Sequence, residues 1–238
     1  MKYKKIIKGT FLERPNRFIA KVSIENKIHI AHVKNTGRCK ELLVSGATIY
    51  LEDFRDDMRN RKTEFSIVSV EKTIGDTFEL INIDSQAPNK IVEESLLEGK
   101  ILSGLTKVVR EQTFGNSRLD FYYEKAGGIK GYIEVKGVTL EENGVVMFPD
   151  AKTERGVKHV RELIKAKEIG FESNLIFIVQ MKNSKLFMPN YEAHMEFATI
   201  LSNAIKKGVS VTVYNCSVTP NSITLLNSID FVIPANLD

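Results

Sequence analysis

Through the first third of the chain, apolar and polar residues alternate in short runs. "RFIAKVSI", "KIHIAHV", "ATIYLEDF", "TEFSIVSVEK" and "TFELINI" are rich in β-branched and aromatic residues, the composition that suits a pleated, half-buried strand. The turn signals "ENK", "NTG", "VSG" and "IGD" separate them. Five such strands in about 80 residues predict a small closed barrel of the OB type, with a β-sandwich as the alternative. "GRCKELL", after the second run, predicts a short helical turn.

Around "IDSQAPNKIVEESLLEGK" the pattern changes. Pro88 and Asn89 break the chain, and a helix fits 91–102, with Ile91, Leu96 and Leu97 apolar among glutamates. "KVVREQTF", "RLDFYYE" and "YIEVKGVTL" read as three strands. A long amphipathic helix follows in "TERGVKHVRELIKAKEIG", with Val157, Val160, Leu163 and Ile164 as its apolar stripe. Thr153 or Asp150 caps its start and Gly170 ends it. "NLIFIVQM" is apolar throughout, as a central strand covered on both faces must be. A further helix over 191–207 and the strand "VSVTVYNCSV" complete the order. The expectation is an α/β domain with a mixed sheet over 85–238, joined to a barrel domain over 1–84.

The stretch "RLDFYYEKAGGIKGYIEVKG" predicts a hairpin with an unusual face. Side chains alternate along a strand, so Asp120 shares a face with Arg118 and Tyr122, and Glu134 with Tyr132 and Lys136. A three-residue loop centred on Gly127 sets Asp120 opposite Glu134, about 5 Å apart. A two-residue Gly127-Gly128 turn slips the register by one and separates them. Two facing carboxylates repel unless a cation compensates. Mg²⁺ or Mn²⁺ suits, since Mg²⁺ takes one or two carboxylates, keeps waters and binds phosphate oxygens. Lys136 on the same side would orient a water or stabilise charge on phosphorus. Acid, acid and lysine around one metal are the parts of phosphodiester hydrolysis. Cross-strand charge pairing on a surface hairpin is the competing reading. Glu94 and Glu98, one helical turn apart, are candidates for a further acid.

Charge adds a partner. Net charge is only +4, yet residues 1–40 hold eleven Lys or Arg against two acids, the footprint of a polyanion-binding segment or of a solvated lysine-rich surface. Arg14, Asn16 and Arg17 before one strand, and Lys34, Asn35 and Arg38 around "NTG", are candidate nucleic-acid contacts on a barrel rim. Arg155, Lys158 and His159 lie opposite the apolar stripe of the long helix and are candidates for phosphate. His159 is also a candidate for proton transfer. Cys39 and Cys216 follow no metal or redox spacing. No apolar run approaches the roughly 20 residues of a membrane span, and the basic N-terminal stretch lacks a signal-peptide core, so a cytoplasmic location is expected.

"SRLDFYYE", "YIEVKGVTL" and "FPDAKTERGVKHVREL", with "FLERPNRFIAKV" and "HVKNTGRCKELL" before them, resemble the signature blocks of the sugar fermentation stimulation protein family. The resemblance runs along essentially the whole chain. It implies an OB-type domain joined to one like the restriction-endonuclease PD-(D/E)XK fold. It also implies DNA binding without clear sequence preference and a link to sugar-utilisation genes. The nuclease core motif then falls on Asp120, Glu134 and Lys136, with Leu119 where that motif has proline. Two functions stay open: a DNA-binding protein with metal-dependent phosphodiesterase activity, and a DNA-binding regulator that keeps the fold without cutting. A protein for small anions or sugar phosphates is a third class. It is distinguished by a shallow salt dependence where DNA gives a steep one.

Overall fold

The computed structural model describes residues 1–35, 37–74 and 77–234. Thr36 of the "NTG" turn and Gly75 and Asp76 of "IGD" lie outside the described residues.

Five strands close the barrel: β1 (Ile6–Asn16), β2 (Ile19–Ile24), β3 (Lys27–Val33), β4 (Thr48–Asp53) and β5 (Phe65–Ile74). β1 pairs antiparallel with both β2 and β4, β2 with β3 and β4 with β5. β3 meets β5 in parallel, Ala31 opposite Phe65, and seals the cylinder. Alternation drives this closure: Ala20, Val22, Ala31, Val33, Ile49, Leu51, Phe65 and Ile67 point inward and are buried. The barrel differs from the sequence expectation in its membership. The sequence pattern leaves β1 as a basic N-terminal stretch, whereas "TFELINI", expected to close the barrel, is β6 (Thr77–Asn82), which extends β5 as a hairpin. Only Phe11 of β1 is buried, so its alternation hardly registers.

Helix α1 (Ala87–Leu97) begins four residues earlier than the apolar pattern predicts. Pro88 does not break the chain but sits in the helix's first turn, where its missing N–H costs nothing. Gly99, at φ +69°, follows the helix end. The second sheet runs β15-β14-β12-β9-β8-β7, built from β7 (Leu105–Phe114), β8 (Ser117–Lys125), β9 (Lys130–Val138), β12 (Glu172–Val179), β14 (Ser210–Thr219) and β15 (Ser222–Ser228). β12 is parallel to β9 and β14, and the outer pairs are antiparallel. α1 covers one face with Ile91, Val92 and Leu96. α2 (Glu154–Glu168) covers the other with Val157, Val160, Leu163 and Ile164, and α3 (Tyr191–Lys206) packs beside it. Thr153 caps α2 by accepting from the Gly156 N–H at 3.0 Å. A small sheet of β10 (Leu140–Glu142), β11 (Val145–Phe148), β13 (Leu186–Pro189) and β16 (Asp230–Phe231) flanks it.

The barrel interior and the layer under α2 form one continuous apolar cluster. Polar fasteners join the two parts. Buried Gln180 donates through Nε2 to the Asn82 carbonyl (3.0 Å), Asn82 Oδ1 (2.9 Å) and the Asp84 carbonyl (3.1 Å). Glu79 accepts from the N–H groups of Lys182 (2.6 Å) and Asn183 (3.1 Å). Lys72 pairs with buried Glu141 at 2.6 Å. Among the described residues no helix is long and apolar enough to cross a membrane.

Candidate metal and nucleic-acid site

The β8–β9 hairpin turns through Ala126, Gly127 and Gly128, with φ of +81° and +79° at the two glycines, a backbone region that glycine enters without steric cost. Lys125 N–H closes the loop on the Ile129 carbonyl at 2.8 Å. Tyr122 pairs with Tyr132 and Phe121 with Ile133. Continued by one residue, that register sets Asp120 opposite Glu134. There the ladder opens, and the Asp120 side chain takes its place: Oδ2 accepts from the Val135 N–H at 2.8 Å. Oδ1 accepts from Asn89 Nδ2 at 2.8 Å. Asn89 reaches the site because Pro88 starts α1 early.

Glu134 is 2% exposed. Its Oε1 receives two donors, Lys136 Nζ and His159 Nδ1, the latter at 2.5 Å. Its Oε2 is buried and has no hydrogen-bond partner among the described residues. Burial, and then the charge of Glu134, push Asp120 above the usual carboxylate range. Burial also pushes Glu134 upward, but Lys136 and His159 outweigh it and the net shift is downward. The pair is thus one stabilised carboxylate facing one that resists ionisation, the imbalance a cation between them would relieve. A buried acceptor oxygen without a donor, beside a second carboxylate, fits a hard divalent ion.

His159 departs from its expected place. It is 5% exposed and faces Glu134 rather than solvent, while Arg155 Nε donates to its Nε2 at 3.3 Å. Glu162, one turn further along α2, is buried as well. Lys158 donates to the Asn116 carbonyl at 2.6 Å. Arg155 and Lys158 line an open cavity of about 390 Å³ with Asn116, Arg118 and Glu154. Neither glutamate expected to add an acid reaches the hairpin. Glu94 binds the Met1 ammonium at 2.7 Å and Glu98 binds Lys100 at 2.6 Å.

The barrel candidates divide. Arg14 is committed inward: its guanidinium donates to the carbonyls of Gly37 (2.9 Å), Arg38 (2.6 Å), Arg17 (2.7 Å) and Asn35 (2.7 Å). Lys34 is committed to Glu52 (3.3 Å) and Asp84 (3.2 Å). Asn16 and Asn35 each cap a turn, Asn16 accepting from Phe18 N–H and Asn35 from Gly37 N–H. All four are engaged in holding the loops, and Asn16 and Arg14 also line the groove described next. Arg17 and Arg38 remain exposed and, with Lys40, line a groove of about 500 Å³. A cavity of about 190 Å³ lies between the two parts, lined by Asn35, Gly37 and Ser85 on one side and by Gly137, Asp150 and Gln180 on the other.

A second group, Glu154, His194 and Glu196, brings three ligand atoms within 4.8 Å of one another. His194 Nδ1 accepts from Thr153 N–H at 3.3 Å, so its Nε2 carries the hydrogen in the neutral ring and offers no lone pair. Arg161 holds Glu196 and Lys152 holds Glu154, each at 2.7 Å. Burial pushes the thiols of Cys39 and Cys216 up to about 12, which leaves them unreactive.

Fold and site together define a closed five-stranded barrel packed on a mixed α/β sheet, with paired carboxylates and a lysine on one hairpin. Residues 86–222 match the family model described as "Sugar fermentation stimulation protein RE domain", and residues 12–83 match "SfsA N-terminal OB domain". The chain belongs to the sugar fermentation stimulation protein family. A homolog from Desulfitobacterium hafniense is 52% identical over 223 residues, 94% of each chain. One from Ruminiclostridium cellulolyticum is 48% identical over 230 residues, 97% of this chain and 99% of its own. The solved structure of Pyrococcus furiosus SfsA in complex with Ca²⁺ superposes with a TM-score of 0.84 at 28% identity, covering 98% of both chains.

Proposed function

We propose that this protein binds DNA without sequence preference and carries a Mg²⁺- or Mn²⁺-dependent phosphodiesterase site at Asp120, Glu134 and Lys136. The observation that carries the reading is the buried Glu134 Oε2, which has no hydrogen-bond partner among the described residues, beside a second carboxylate and a lysine. Asp120 and Glu134 would hold the ion, which when bound supplies Lewis acidity and a more acidic water. Val135 N–H and Asn89 fix the Asp120 carboxylate in place. Lys136 sits where it can give a hydrogen bond to the attacking water or to a phosphate oxygen. Arg155, Lys158 and Arg118 form a cationic shelf beside it for the backbone, and Arg17, Arg38 and Lys40 form another on the barrel. The Ca²⁺ held by the Pyrococcus relative supports a site for a divalent cation.

The second reading, a DNA-binding regulator that does not cut, is favoured by one contact: Lys136 already neutralises Glu134. One experiment separates them. The purified chain is incubated with plasmid, single-stranded DNA and RNA in Mg²⁺, Mn²⁺ or EDTA, alongside Asp120→Asn and Lys136→Met. The phosphodiesterase reading expects metal-dependent cleavage by the parent and a loss of at least about 10²-fold in both variants. Asp120→Asn should bind DNA in EDTA as tightly as the parent or more so, since one repelling charge is gone. DNA binding with no cleavage and no Mn²⁺ uptake leaves the regulator.

A further inference from the structure

We propose that His159, held by Arg155, is a positioning residue that aims the Glu134 carboxylate at the metal position. The inference rests on the metal reading above. Its basis is a chain of directed hydrogen bonds. The Arg155 guanidinium can only donate, so the His159 Nε2 it meets at 3.3 Å is an acceptor. The ring hydrogen of neutral His159 therefore sits on Nδ1 and is given to Glu134 Oε1. That bond and the one from Lys136 both end on the same oxygen. The carboxylate is pinned by Oε1, and Oε2 is the oxygen left free.

The support behind His159 is rigid. α2 is capped by Thr153 and anchored by Val157, Val160 and Leu163, each nearly inaccessible to solvent. Lys136 alone would not do the same work. Its ammonium rotates on a four-carbon stem and fixes a charge more than a direction, whereas the imidazole is planar and its donor direction is set by the helix. The outer end of the chain, Arg155, is exposed on the shelf that also carries Lys158 and Arg118. Through Arg155 the orientation of Glu134 is therefore tied to the surface that would receive a phosphate.

The test uses the full chain and Mn²⁺ alone as probe, with free Mn²⁺ read by its electron paramagnetic resonance signal. Partners that orient a metal-binding carboxylate typically contribute about 10–100-fold in affinity, and His159→Ala is expected to lose that much. His159→Asn, whose amide N–H takes the place of Nδ1–H, should recover most of it, while His159→Gln, which places its N–H where Nε2 was, should not. Arg155→Ala should weaken Mn²⁺ in the same direction but by less. Melting in EDTA verifies that each variant is folded, and if His159→Ala is not, the comparison of Asn with Gln carries the result. Parent-like Mn²⁺ affinity in His159→Ala, or equal affinity of the Asn and Gln variants, overturns the positioning role. If the parent takes up no Mn²⁺, or if Glu134→Gln binds as the parent does, the metal reading itself falls and this inference with it.

Discussion

Asp53 and Glu134 are both buried acids, yet their surroundings set them different tasks. Asp53 accepts from Arg55 through its guanidinium (2.8 Å and 3.0 Å) and its backbone N–H (3.0 Å), and from Lys5 at 3.2 Å. The Arg55 side chain, against the opposing effect of burial, holds its carboxyl well below the usual range. A folded-state value below the unfolded one means stability present above the unfolded pKa and lost as pH falls through the folded one. Asp53→Asn should therefore melt lower than the parent at pH 7, and the gap should narrow as the pH drops below the unfolded value of about 3.9. Melting curves between pH 7 and the acid limit measure it, and a gap that stays constant with pH would remove the ion pairs from the explanation. Glu134 has its donors on one oxygen only, so its environment leaves an unmet need where Asp53 has none. Sequence alternation is enough to bring Asp120, Glu134 and Lys136 together on one hairpin, because a strand repeats every two residues. It cannot find that His159 and Asn89 join them, since those contacts depend on where two helices land.

At the scale of elements, close approach decides several identities. A Cβ on Gly131 of β9 would lie 2.3 Å from Tyr123 Cζ. Tyr123 is fully buried and its hydroxyl is tied to Glu172 at 2.5 Å and Asn174 at 2.9 Å, so the ring cannot withdraw. Gly131→Ala should destabilise by about 1–3 kcal/mol, the range for overpacking, as read by urea unfolding. An unchanged midpoint would mean that the ring yields. The same scale explains which elements the sequence shows. α2 is legible because one continuous face of it is buried, and β9 and β12 because both of theirs are. β1 is obscured because Phe11 alone of its residues is buried, and α1 starts early because Pro88 opens a helix as readily as it ends one. β10, β11, β13 and β16 have between two and four residues each, too short for any period to emerge.

At the scale of the molecule, the cations of the basic N-terminal segment fall into two groups. Arg14 and Lys34 hold the structure together, whereas Arg17, Arg38 and Lys40 stay exposed along one groove. Neutralising those last three together should lower DNA affinity on all sequences alike, and each lost phosphate contact should flatten the salt slope by about 0.9. Arg14→Ala should instead lower the melting temperature by releasing four carbonyls from their donor. Filter binding over a salt series, with melting alongside, separates the two. If the triple variant binds as the parent does, the exposed cations are a solubility feature.

The bonds that join barrel to sheet end largely on peptide groups: Gln180 on the carbonyls of Asn82 and Asp84, Glu79 on the N–H groups of Lys182 and Asn183. Peptide groups in strands and their flanks do not swing aside as side chains do. The space between the barrel loop and the end of β9 is therefore a caliper with fixed jaws, not a hand that closes. A caliper sorts by gauge. What fits between the two walls is set by their separation, because neither wall is hung on a side chain alone.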